Sequence, residues 1–193
     1  MLRRAVLLCI LIAGVTAATA SAVTYDITIS DQRYADPLGR ITDDSYTLVW
    51  HNAGPSPHSV TQNTGGKNLG LFDSGPIEPG GSFSYEFDYV GHYGYRDTFT
   101  GRRSYIDIGP AIVRNGRTIH YILGVKPVIP GYVFDVERKL KGTKTWDVVV
   151  NGTTESEVDI TFDPGTWLVR ARLRRTADNH ASGWCRKFRL VIS

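Results

Sequence analysis

The sequence predicts an all-β protein, and three observations carry that prediction. Apolar and polar residues alternate with a period of two over residues 25–29 (YDITI), 83–87, 132–139 (YVFDVERK) and 158–162 (VDITF). That is the spacing of strands with one buried face. Proline and glycine punctuate these stretches at Pro79-Gly80-Gly81, Pro130-Gly131, Gly142, Gly152 and Pro164-Gly165, because proline presets one backbone dihedral and glycine admits positive φ. Charge then divides the chain. Residues 23–109 hold 6 Lys/Arg against 11 Asp/Glu, and residues 110–193 hold 14 against 8. Two halves of opposite sign predict two β domains, 23–109 and 110–193, preceded by a leader at 1–22.

The leader is read from its three parts. Arg3 and Arg4 form a basic start, residues 5–15 an apolar run, and Ala20-Ser21-Ala22 a small-residue cleavage site. The other reading is a membrane anchor that stays attached, but the run is short of the ~20 residues a spanning helix needs. No later stretch could span a membrane. Once Cys9 is removed, Cys185 is the only cysteine left, so an exported chain has no internal disulfide and must rely on core packing. Met1 is the only methionine, which leaves no thioether for a metal.

In chain order, residues 25–29 suit an opening strand, Asp43-Asp44-Ser45 a solvated turn, and residues 46–51 a second strand. A loop follows at 52–57, and residues 61–69 are polar and Gly-rich. Residues 71–107 are the most informative. Phe83, Tyr85 and Phe87 alternate along one strand, Val90-Gly91 breaks it, and Tyr93 and Tyr95 begin another. His51 is expected opposite Trp50, and His92 in the turn, both at the surface. Residues 104–108 close the series before Gly109-Pro110.

Phe72-Asp73-Ser74-Gly75, Pro79-Gly80 and Gly91-His92-Tyr93-Gly94-Tyr95, with Val49-Trp50-His51-Asn52 and Pro57-His58-Ser59-Val60 upstream, resemble the plastocyanin/amicyanin-like cupredoxins over residues 23–109. The resemblance implies a Greek-key β-barrel or sandwich. It places His58 at the family's first copper ligand, Asp97 at the Cys ligand, Thr100 at the second His, and Arg103 near the Met. Type 1 copper needs a thiolate and two imidazoles on one centre, so the resemblance implies a copper site that has been lost. A His beside a proline in a loop is otherwise expected to be exposed or bonded to backbone, and Asp97 with His58 falls short of the three or four ligands a copper or zinc site uses.

After Pro110 only strand signals recur, at 118–125, 132–139, 145–150, 158–162, 166–174 and 185–192, predicting a small antiparallel sandwich. Tyr132-Val133-Phe134-Asp135-Val136, the run Gly165 to Arg172 and Ser182-Gly183-Trp184 resemble the middle, penultimate and last strands of a fibronectin type III or related immunoglobulin-like domain. Arg170, Arg172 and Arg174 sit two apart and face away from Val169, Ala171 and Leu173. Arg175, Arg186, Lys187 and Arg189 lie nearby. Two readings stay open: a basic face for an anionic partner, with Arg170, Arg172, Arg174 and Arg189 as its binding residues, or a solvated face that deters edge pairing. Cys185 is expected to be an incidental, partly buried thiol rather than a reactive one.

The histidines form no H-x-H or HExxH pattern, and no nucleophile elbow is present. The expectation is a non-catalytic binding or structural protein, secreted, periplasmic or of the cell envelope, with no cofactor. The alternative is a copper-binding or electron-transfer protein of the plastocyanin-like class. The expected partner is a protein or an anionic cell-envelope polymer, and the acidic first half could also dock on the basic second. Nucleic acid is disfavoured by export and by the small net charge. Asn151-Gly152-Thr153 is a glycosylation sequon, meaningful only in a eukaryotic source.

Overall fold

The computed structural model describes residues 23–34, 46–62 and 69–193. The leader, the Asp43-Asp44-Ser45 turn and most of the Gly-rich loop after Gln62 lie outside them. Among the described residues there are thirteen strands in four sheets and no helix, so no helix there is long and apolar enough to cross a membrane. The protein is all-β.

In the first half, β1 (Val23–Ile29) and β2 (Tyr46–Asn52) pair in parallel, and β4 (Ser82–Phe87) joins the other side of β2 antiparallel. The second sheet orders β3 (Thr61–Gln62), β5 (Gly91–Arg96) and β6 (Arg103–Ile108), all antiparallel. The two-residue β3 was read from sequence as loop, because a strand this short shows no periodicity. His92 was expected in a turn. It is in β5 instead, since the chain re-enters the ladder at Gly91 opposite Ile108. Period two decides what is buried: Leu48 and Trp50 on β2, Tyr93 and Tyr95 on β5, and Ile106 and Ile108 on β6 face one core. Trp50 lies at its centre, with Phe72, Phe83, Phe87 and Tyr95 rings 5.6–6.4 Å away. Its indole N–H donates to the Tyr95 hydroxyl at 3.3 Å, so the one polar atom of the ring is partnered.

In the second half, β7 (Ala111–Asn115), β8 (Thr118–Ile122) and β11 (Glu157–Thr161) form a sheet ordered β11-β8-β7. Facing it are β9 (Tyr132–Leu140), β10 (Asp147–Thr153), β12 (Gly165–Arg175) and β13 (Phe188–Ile192), ordered β10-β9-β12-β13. Three and four antiparallel strands make an immunoglobulin-like sandwich. No alternation marks β7, four of whose five side chains are exposed. Its hairpin to β8 turns on Gly116 at φ 60°, a conformation suited to the first loop position of a two-residue turn. The register of β12 is fixed by its alternation. Val169, Ala171 and Leu173 are fully buried, and a slip of one residue would put three arginines in their place.

The halves meet through main chain. The Val90 N–H donates to the Leu123 carbonyl, Val125 N–H to that of Asp88, and His92 and Gly183 exchange two bonds at 2.9 and 2.8 Å. Val90 and Leu69 pack into the core of the second half. The approach depends on glycine at position 91, where an added Cβ would lie 2.3 Å from the Ser182 hydroxyl oxygen. Charged groups contribute as well: Lys126 Nζ pairs with Glu86 at 2.7 Å and with Asp88 at 3.2 Å, and Arg175 Nη1 donates to the Leu69 carbonyl at 2.9 Å. Of the cations in the basic half, it is Lys126 rather than the arginine face that makes these ion pairs to the acidic half.

Candidate functional site

His58 was expected to be exposed or tied to backbone. It is completely buried, and its side chain is held by two carboxylates. The loop that carries it is fixed from both sides. Its backbone exchanges hydrogen bonds with Ile77 at 3.1 and 2.7 Å, while the Asn52 amide donates to the carbonyls of Ser56 and Ile77. His58 Nδ1 then lies 2.7 Å from Asp97 Oδ2, and Nε2 lies 3.0 Å from Asp31 Oδ1. An added Cβ at Gly54 would fall 2.7 Å from that Asp31 oxygen, so a side chain there would displace the pair.

Asp97 is the hub of this network. Oδ2 also accepts from the Thr100 hydroxyl at 2.7 Å, and Oδ1 accepts the backbone N–H groups of Ser59 at 3.1 Å and Phe99 at 3.0 Å. Burial alone would raise the Asp97 carboxyl. The hydrogen bonds from Thr100, His58, Phe99 and Ser59 outweigh it and hold the group below its usual range. Close by, the Tyr34 hydroxyl donates to the Ser59 carbonyl. Burial first, and then the Asp97 charge, push that phenol well above its ordinary value.

This arrangement does not fit copper. Both ring nitrogens of His58 are occupied within the protein, Nδ1 by Asp97 and Nε2 by Asp31, so neither faces an open coordination position. The side chains implied as the other ligands by position, Asp97 and Thr100, are bonded to His58 and to each other. Among the described residues no group of three or more His, Cys, Asp or Glu is placed to hold a metal ion.

The arginine face is also more engaged than its sequence suggests. Arg170, Arg172 and Arg174 project from β12 directly beside β9, where Arg170 pairs in register with Glu137 and Arg172 with Asp135. Arg170 Nη2 lies 2.6 Å from Glu137 Oε2, Arg172 Nε 2.9 Å from Asp135 Oδ2, and Arg174 grips both Asp135 oxygens at 2.8 and 2.9 Å. Burial works to raise the Asp135 carboxyl, and the two guanidinium groups hold it below its ordinary range. Indole rings interleave with the cations. Arg170 stacks on Trp146 at 4.0 Å and on Trp184 at 4.7 Å, and Arg172 stacks on Trp184 at 4.3 Å. Arg189 stands opposite Leu168 on the neighbouring strand and is exposed. The acids Asp135 and Glu137 were missed as partners, although their two-residue spacing on the alternating run 132–139 was the available signal.

The other candidates are placed as follows. Asp26, His51 and Ser82 form a carboxylate–imidazole–hydroxyl chain across β1, β2 and β4, at 2.8 and 2.7 Å. It lies on an open sheet face with Asp26 71% exposed, and Nδ1 rather than Nε2 faces the hydroxyl, the reverse of a serine hydrolase. Cys185 is more buried than expected: 2% exposed within the second core, its sulfur accepts the Ala171 N–H at 3.3 Å.

No protein-family model matches the sequence, and no curated protein matches it. Among solved structures, a novel purple cupredoxin from Nitrosopumilus maritimus is 26% identical, with 43% of this chain and 97% of that one covered, at TM-score 0.35. An amicyanin variant in its reduced Cu(I) form at pH 4 is 20% identical over 47% and 85%, at 0.38. A cytokine receptor complex is 12% identical over 78% and 92%, at 0.36. Similarity this low leaves the architecture to be read from the strand order itself.

Proposed function

We propose that this chain is an exported, non-catalytic binding or structural protein of the cell envelope, built on a cupredoxin-like module whose type 1 copper ligands have been replaced. One observation carries the reading. By the resemblance Asp97 stands at the thiolate position, and it binds His58 Nδ1 at 2.7 Å, which ties that imidazole into the protein's own hydrogen-bond network. Main-chain bonds between the two halves support it, because they suit a rigid module that presents surface. The Asp26–His51–Ser82 chain lies on an open sheet face and presents Nδ1 rather than Nε2 to the hydroxyl. Export rests on the leader alone. The partner proposed for its surface is a protein or an anionic cell-envelope polymer.

The experiment is a copper(II) titration of the exported chain followed by visible absorption and calorimetry. The expected outcome is no stoichiometric binding and no intense thiolate-to-copper band. A band abolished by Cys185→Ser would restore the electron-transfer alternative and defeat the proposal. Weak binding without the band, lost in His58→Ala, would point to copper handling instead.

A further inference from the structure

Beside the arginine ladder, β10, β12 and the segment after it enclose a cleft of about 600 Å³, within the ~300–1,000 Å³ of small-molecule sites. The side chains on its walls are those of Asn151, Arg172, Arg174, Asn179 and Ser182, with Gly183 and the Ala181 methyl completing it. The Ser182 hydroxyl is buried, donating to the Gly183 carbonyl and accepting the Leu173 N–H, so the groups left to a ligand are amides and guanidinium groups, which suit a polyhydroxylated ligand and offer little to a lipid or an apolar peptide.

The two guanidinium groups are not equivalent. Arg174 is almost spent: Nε and Nη2 bind Asp135, and Nη1 binds Asn179 Oδ1 at 3.1 Å. Arg172 uses only Nε, on Asp135 at 2.9 Å. Its two terminal nitrogens have no hydrogen-bond partner among the described residues, yet the group is pinned by that bond and by the Trp184 ring. Two cations share one carboxylate, and Glu137 is taken by Arg170. The cleft therefore keeps an excess of one positive charge beside a pre-oriented pair of N–H donors, the geometry that reads a planar carboxylate bidentately. Asn179 reaches Arg174 from a left-handed backbone, φ 58°, an uncommon conformation for a side-chain-bearing residue. Gly152 at φ 79° leaves room for Arg174 Nη2, 3.1 Å from where a Cβ would be.

We propose that this cleft binds a carboxylate-bearing sugar of an anionic polysaccharide, with Arg172 reading the carboxylate and Asn151 and Asn179 the hydroxyls. The inference rests on the binding role proposed above and specifies its ligand class. One excess charge matches one carboxylate per sugar better than a doubly charged phosphate ester.

The test is calorimetry of the exported chain against a tetragalacturonate, a neutral maltotetraose and a sulfated tetrasaccharide. The uronate is expected to bind, and the neutral sugar about tenfold or more weaker. Arg172→Gln is expected to weaken uronate binding about ten- to hundredfold, the range of a charged hydrogen-bond pair. Arg172→Lys keeps the charge but loses the fork and does not restore binding. Asn151→Asp adds a like charge without touching Asp135 and weakens it too. Lys144→Gln, a cation away from the cleft, leaves it unchanged. Arg174 still pairs with Asp135 in Arg172→Gln, and an unchanged melting temperature shows that the fold is kept. No uronate binding by the native chain overturns the inference. So does tighter binding of the sulfated sugar that Arg172→Gln and Lys144→Gln weaken equally, the mark of unspecific charge attraction. A negative result here with a blank copper titration removes the ligand and leaves the non-catalytic reading, whereas a thiolate-to-copper band removes that reading and leaves the cleft.

Discussion

Replacing Asp97 by Asn tests the buried network around His58. Asp97 is fully buried and accepts four hydrogen bonds, from His58, Thr100 and two backbone N–H groups. Asparagine keeps the shape but loses the charge. With its oxygen on the two backbone groups, its NH2 faces two donors, the His58 ring and the Thr100 hydroxyl. Removing one partner of a buried charged pair costs about 3–5 kcal/mol. Asp31, which is 36% exposed, still accepts from His58 and keeps the cost near the lower end, about 3 kcal/mol. For a chain of this size that corresponds to a melting temperature lower by roughly 6–12 °C. Urea unfolding at pH 7 should show the midpoint fall with an unchanged slope. The pH dependence has a definite sign. The folded-state carboxyl lies below its ordinary 3.8, so its stabilisation is complete above the unfolded-state value and is lost as pH falls through the folded one. The gap between native and Asp97→Asn chains should accordingly close below about pH 4. A cost under about 1 kcal/mol at pH 7, or a gap that persists undiminished in acid, would refute the reasoning.

Two further outcomes probe the packing. Gly91→Ala places a methyl 2.3 Å from the Ser182 oxygen and should destabilise by about 1–3 kcal/mol, with much of the loss recovered in the double variant that adds Ser182→Gly; thermal melts of the four proteins read this. Cys185, 2% exposed, should resist a thiol-specific reagent in native buffer and react at once in denaturing urea, and rapid native labelling would contradict its place in the core.

The all-β class was legible because alternation needs only neighbouring residues: Leu48 with Trp50, and Val169 with Ala171 and Leu173, declare their buried faces in the order of the chain. Edge and minor strands were not. Ile112 and Val113 of β7 are both exposed, so no alternation marks that strand, and β3 is too short to show one. The sequence alone also determined which residue types stand at positions 58, 97 and 100, since that depends on identity and spacing.

What it could not determine was what those residues do to one another. Asp31, His58 and Asp97 are 27 and 39 positions apart along the chain from His58, and only the folding of separate loops onto one end of the sandwich brings them within hydrogen-bond distance. The same holds for Arg172 and Asp135, 37 residues apart. A row of arginines read in isolation is a basic face. Set in antiparallel register against an acidic row and interleaved with two indole rings, it becomes a largely neutralised ladder with one guanidinium left to act, because charge depends on distances through space and the sequence records only distances along the chain.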